Sequence, residues 1–194
     1  MYRFWLGKVS QLSHGELPAN VIARAPNGPT RASWLAGRVL LCRAVSPLPE
    51  ISYAERGKPA FAVASSLWFN LSHSGDDIAL LLSDEGEVGC DIEVLRARKN
   101  WPALAESLFC PAEREQITLE APEQQLAAFW RIWTRKEAIV KQRGGSVWQM
   151  ASVDSTRNAG YFVTDLQTDG LSIAVCTPTP YPLDNIIRIS SAQL

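Results

Sequence analysis

The chain of 194 residues is 46% hydrophobic and 20% charged, the balance of a folded soluble protein able to bury a core as one domain or two small ones. Its formal net charge of −1 excludes an overall electrostatic bias toward nucleic acid or an anionic membrane, so any anion it binds must be held by a local basic site. Cys42, Cys90, Cys110 and Cys176 lie far apart without CxxC spacing or a nearby histidine, which argues against a zinc site and a disulfide framework. No secretory apolar segment opens the chain and no apolar run reaches about 18 residues, so a cytoplasmic protein is expected, with neither membrane nor nucleic acid as partner.

Tyr2 to Val9 reads as a first strand, followed by a polar break. Pro18 to Arg24 suits a short helix, and Pro26-Asn27-Gly28-Pro29 a stop. Thr30 to Val45 is the clearest helix of the first half, with Thr30 as N-cap, an apolar stripe of Trp34, Leu35, Leu41 and Val45, and Arg31, Arg38 and Arg43 on its surface. Ile51 to Tyr53 follows as a short strand, and Arg56-Gly57-Lys58-Pro59 as a turn that carries Lys58 at its tip. Leu67 to Leu71, Ile78 to Leu82 and Val88 to Glu93 are three successive strands joined by tight polar connections, which points to an antiparallel sheet. Ser72 and His73 fall where the first of these runs out, among groups able to donate hydrogen bonds to a phosphate oxygen.

The stretch Val88-Gly89-Cys90-Asp91-Ile92-Glu93 alternates strictly. Period two places Val88, Cys90 and Ile92 on one sheet face, and Asp91 and Glu93 on the other. Two carboxylates so held can grip one hard cation from the same side, although a solvated strand face explains them equally well. Gly89 lets a ligand approach the backbone just ahead of the acidic pair.

Trp101 to Phe109 and a segment from Cys110 suit helices, and Glu123 to Arg143 is the longest helical run, ended by Gly144-Gly145. Along it Phe129, Trp133, Glu137 and Lys141 recur every fourth position and share one face. Glu137 and Lys141 are either an exposed ion pair or a carboxylate and an ammonium aimed at one anionic ligand and its metal. Val147, Ser152-Val153, Tyr161 to Val163 and Leu171 to Cys176 suit closing strands, and Ile186 to Ile189 an edge strand. No GxGxxG, P-loop or GxSxG motif occurs.

Four segments together resemble the Sfp-like 4'-phosphopantetheinyl transferases, near their short bacterial holo-acyl-carrier-protein synthases. The family's G-[VI]-D-x-E-like signature stands as Gly89-Cys90-Asp91-Ile92-Glu93, with Cys90 where many relatives carry Ile or Val. Its W-[ST]-x-K-E-[AS]-x-x-K signature stands as Trp133-Thr134-Arg135-Lys136-Glu137-Ala138-Ile139-Val140-Lys141. Gly57-Lys58-Pro59 and Phe69-Asn70-Leu71-Ser72-His73-Ser74 match upstream, in the same order.

The resemblance implies an α+β fold of two similar subdomains, residues 1–85 and 86–194, related by a pseudo-twofold axis, each a mainly antiparallel sheet on a long helix. It implies transfer of the phosphopantetheine arm from coenzyme A to a serine of an apo carrier protein, leaving adenosine 3',5'-bisphosphate. By that resemblance Asp91, Glu93 and Glu137 belong to a magnesium site, the second subdomain carrying it. Lys58, Ser72 and His73 contact coenzyme A phosphates, Lys141 meets the pyrophosphate, and Arg31, or failing it Arg24, meets the 3'-phosphate. Asp91, Glu137 and Lys141 then carry the catalysis, with Glu137 as base either directly or through a metal-bound water. Arg38, Arg43 and the Arg96 to Lys99 patch are candidates to meet an acidic carrier protein, and a monomer is expected. A magnesium-dependent nucleotide hydrolase and a non-catalytic binding module are the rival readings.

Overall fold

The structure, a computed structural model, describes residues 1–54, 57–62, 65–157 and 160–189. Strand β1 (Tyr2–Lys8) is followed by the single helical turns α1 (Val9–Leu12) and α2 (Ala19–Ile22) and the long helix α3 (Arg31–Ala44). A small hairpin, β2 (Ile51–Tyr53) and β3 (Pro59–Phe61), precedes the larger hairpin β4 (Trp68–Ser74) and β5 (Asp77–Ser83). Then come β6 (Gly89–Val94), α4 (Trp101–Leu108), α5 (Pro111–Thr118), α6 (Gln125–Gln142), β7 (Phe162–Thr168), β8 (Leu171–Thr177) and β9 (Ile186–Arg188). The succession of strand, helices, long helix and hairpin thus occurs twice, and the fold is α+β as expected.

Two principal sheets result, ordered β4-β5-β1-β9 and β6-β8-β7. All their pairings are antiparallel except β1 with β9, which is parallel. Alternation along the strands gives each sheet two apolar faces, and so three cores. Trp5, Ile78 and Leu80 pack with Leu40 and Leu41 of α3. Phe4, Leu81, Cys90, Ile92 and Ile173 fill the space between the two sheets. Phe129, Trp130 and Ile139 of α6 pack on Ala174 and Cys176.

Several expectations are corrected. The third strand of the presumed meander leaves the sheet of its two predecessors: β6 pairs with β8, some eighty residues on, because its apolar face is wanted between the sheets. The segment Val147–Ser152 is a 3₁₀ helix instead of a strand, started by a capping box in which Ser146 and Gln149 satisfy each other's backbone. His73 lies within β4, paired opposite Ile78, instead of in a loop. Thr30 occupies the N-cap of α3 but makes no side-chain capping bond. Arg38 is buried, not solvated: its guanidinium lies 4.5 Å from the Trp34 ring centroid and donates to Tyr53 Oη at 2.6 Å, so it cannot face a carrier protein. Arg56, in the expected turn, lies outside the described residues. No helix of the described residues is long and apolar enough to cross a membrane.

Candidate active site

Strand β6 is an edge strand, so one row of its backbone N–H groups lacks a neighbouring strand. Side chains from β4 take that row instead. Cys90 N–H donates to Asn70 Oδ1 at 2.9 Å, Ile92 N–H to Ser72 Oγ at 3.2 Å and Val94 N–H to Ser74 Oγ at 3.1 Å. These rungs join the two sheets edge to edge. They turn the other face of β6, with Asp91 and Glu93, toward α6.

Gly89 allows that contact. A Cβ there would lie 2.0 Å from Ala138 O and 2.4 Å from Gln142 N, so it is the α6 backbone, not a ligand, that uses the open space. The close approach brings Glu137 and Lys141 of α6 over the acids of β6. Lys141 Nζ donates to Asp91 Oδ1 at 2.6 Å and to Ser72 Oγ at 2.9 Å. Ser72 in turn donates to Asp91 Oδ1 at 2.9 Å, and Ser74 to Glu93 Oε2 at 2.6 Å. The partner of Lys141 is therefore Asp91 across the interface, and the simple exposed pair with Glu137 along the helix is not what forms.

Charge is crowded here. Burial, with Asp91 and Glu93 beside it and only partly offset by Lys141, pushes the Glu137 carboxyl up to about 7. Burial raises Glu93 as well, against the Ser74 hydrogen bond, and Asp91 adds to the rise. Burial works to lower the Lys141 ammonium, but Asp91 outweighs it and holds the pKa above the usual lysine value. Asp91 Oδ2 is buried and has no hydrogen-bond partner. An unpartnered buried carboxylate oxygen beside two further acids fits a divalent cation, whose charge would relieve all three.

A family model described as the 4'-phosphopantetheinyl transferase superfamily matches residues 87–180, the part that holds β6 and α6. The 4'-phosphopantetheinyl transferase AcpT of Salmonella typhimurium is 67% identical over 183 residues, covering 94% of this chain and 95% of its own. The chain belongs to the 4'-phosphopantetheinyl transferase superfamily. AcpT of Escherichia coli is 62% identical over 195 residues, covering 100% of both chains, so this is an AcpT-type transferase throughout its length. The more distant transferase HetI of Nostoc is 32% identical over 108 residues, covering 54% of this chain and 46% of its own.

Within this transferase, the remaining candidates fall into three places. Ser72 and His73 border a groove of about 260 Å³, next to Leu71, Trp34, Arg38 and Tyr53. Burial and the nearby Lys141 lower the His73 imidazole below its ordinary value. The last three groove residues also border an adjoining cavity of about 700 Å³, into which Arg24 faces. Arg31 is directed elsewhere, donating to the carbonyls of Ala25 and Pro26 at 3.4 Å each. Lys58 is only 13% exposed in its side chain and pairs with Glu87 at 2.5 Å. It also donates to Val88 O at 3.3 Å and Gln142 O at 3.1 Å, and so ties the start of β6 to the end of α6.

The transferase holds one further acidic group. Cys110, Glu113 and Asp154 are the trio of ligand-type side chains, among the described residues, whose ligand atoms lie within 4.8 Å of one another. Both oxygens of Glu113 are already taken, by Lys136 Nζ at 2.7 Å and Cys110 N–H at 2.8 Å, and by Ser155 N–H at 2.8 Å and its hydroxyl at 2.7 Å. That makes it a buried ion-pair centre instead of a cation site. Sequence reasoning missed Lys136 and Glu113, and it missed Asn70 and Ser74. The signal for the latter was present, in the polar alternation Asn70, Ser72, Ser74.

Proposed function

We propose that the protein transfers the 4'-phosphopantetheine arm of coenzyme A to a serine of an apo acyl or peptidyl carrier protein, with magnesium, and releases adenosine 3',5'-bisphosphate. The observation that carries this reading is the buried, unpartnered Oδ2 of Asp91, with Lys141 on its other oxygen and Glu137 raised to about 7 beside it. Asp91, Glu93 and Glu137 are the residues that would hold the metal. Bound there, magnesium supplies positive charge to the oxygens of the diphosphate.

The chain's own groups do the rest. Lys141 places an ammonium where charge develops on the diphosphate. The serine oxygen forms a bond to the phosphorus that bears the pantetheine arm, and the bond from that phosphorus to the bridging oxygen breaks. The electron pair leaves with the adenosine bisphosphate. The serine proton passes to Glu137, whose own proton the charge of a bound cation would already have displaced. The groove from Ser72 and His73 past Trp34, Arg38 and Tyr53 suits the nucleotide end of coenzyme A, and Arg24 at its far cavity replaces Arg31 as the residue for the 3'-phosphate. Lys58 acts on the site by holding β6 against α6. We take the working unit as a cytoplasmic monomer, divided near residue 85.

Incubation with coenzyme A, magnesium and a panel of apo carrier proteins, read by intact mass, tests the reading. A gain of one phosphopantetheine on a carrier is expected. Cleavage of coenzyme A with no mass gain on any carrier would replace it with nucleotide hydrolysis.

A further inference from the structure

The two serines of β4 repeat one device. Ser72 accepts the N–H of Ile92 and donates to the carboxylate one residue earlier, Asp91. Ser74 accepts the N–H of Val94 and donates to the carboxylate one residue earlier, Glu93. Both accepting contacts span twenty positions and both donating contacts nineteen. A hydroxyl has one proton, and once an amide points at its lone pair that proton must go elsewhere. The edge amides of β6 thereby set the direction in which each hydroxyl donates. Asn70 performs only the accepting half, because position 89 is glycine and offers no carboxylate.

Both serines are buried, Ser72 at 5% and Ser74 at 7% exposure, so neither hydroxyl is turned by solvent. Ser72 is further fixed by Lys141. Glu93 is longer than Asp91 by one rotatable bond and stands half-buried toward the end of the strand, so it has more freedom to lose.

We propose that Ser74 is a positioning residue for Glu93, holding that carboxylate toward the cation as Ser72 holds Asp91. The inference rests on the proposed cation site. It assigns to Ser74 a share in metal affinity that is separate from binding coenzyme A.

The test is Mn²⁺ binding, followed by the electron paramagnetic resonance of free Mn²⁺ without coenzyme A or carrier. Ser74→Ala should bind Mn²⁺ roughly 10–100-fold more weakly than the wild type, the usual effect of losing a group that orients a ligand. Ser74→Thr, which keeps the hydroxyl, should return toward the wild type, and coenzyme A affinity measured without metal should be the same in all three. In a Glu93→Gln background, Ser74→Ala should change Mn²⁺ affinity no further, a comparison that holds even if the single variant is less stable. Wild-type Mn²⁺ affinity in Ser74→Ala would overturn the inference alone. A wild-type protein that binds no Mn²⁺ would overturn the cation site and the inference with it.

Discussion

Lys141 of α6 and Asp91 of β6 meet at 2.6 Å across the interface between the long helix and an edge strand. The contact uses one oxygen of Asp91 and leaves the other buried without a partner. The lysine is thus only a partial answer to three gathered acids. Replacing it with Gln should keep the fold, since part of its side chain reaches solvent, but should lower transfer by roughly 10²–10³-fold, the effect of removing one preorganised positive donor. The rate of mass gain on a carrier protein measures this, and a rate near that of the wild type would remove Lys141 from the chemistry.

Glu137 predicts a pH dependence with a definite sign. Its carboxyl is pushed up to about 7 in the folded protein against an ordinary 4.5, so the metal-free fold binds that proton more tightly than the unfolded chain. The stabilising contribution is complete below about 4.5 and is lost as pH rises through about 7. The melting temperature of the metal-free protein should therefore fall between pH 6 and pH 8, and Glu137→Gln should flatten that slope. Magnesium competes with the same proton, so the thermal shift it produces should grow over the same interval. The variant should still bind coenzyme A while losing most turnover. A melting temperature that rises from pH 6 to pH 8 would contradict the assignment.

The alternation of Val88 to Glu93 and the four-residue spacing of Glu137 and Lys141 could be read directly, because each depends only on the period of its own element. What could not be read was the pairing between elements. Ser72 and Ser74 look like the frayed end of a strand, and Asn70 like one more position within it, until β6 is known to lie beside them as an edge. Gly89 reads as room for a ligand until α6 is placed against it. Lys58 carries a charge that sequence alone assigns to solvent or substrate, and Lys136 one to which it assigns no role. Their partners are twenty or more residues distant, Glu87 and Glu113, and only the fold brings each pair together. The 3₁₀ helix at Val147–Ser152 was hidden for a local reason: its β-prone residues were outweighed by the Ser146 and Gln149 capping box.

Lys136 and Glu113 are both fully buried and ion-paired at 2.7 Å, one residue before the proposed base. Glu113→Ala would leave the ammonium with only the carbonyl of Val153, and the Ser155 and Cys110 amides without their acceptor. Chemical denaturation should show a loss of about 3–5 kcal/mol, the range for breaking one side of a buried pair. A loss below about 1 kcal/mol would contradict this, showing that the Val153 carbonyl alone suffices for Lys136.

Gly89→Ala tests the packing of α6 on β6. The added Cβ meets helix backbone at 2.0 Å, and backbone cannot swing aside as a side chain can. The helix must move, taking Glu137 and Lys141 away from Asp91. Stability should drop by about 1–3 kcal/mol or more, and transfer should fall further than the folded fraction explains. Unchanged activity in the folded variant would show that this approach is not what assembles the site.

The most direct measurement is the position of a cation. Crystals of the protein grown with coenzyme A and Mn²⁺ should give an anomalous scattering peak bounded by Asp91, Glu93 and Glu137, within coordination distance of the now unpartnered Asp91 Oδ2. A peak elsewhere, or a map in which Lys141 still holds Asp91 and no cation stands among the three acids, would contradict the account.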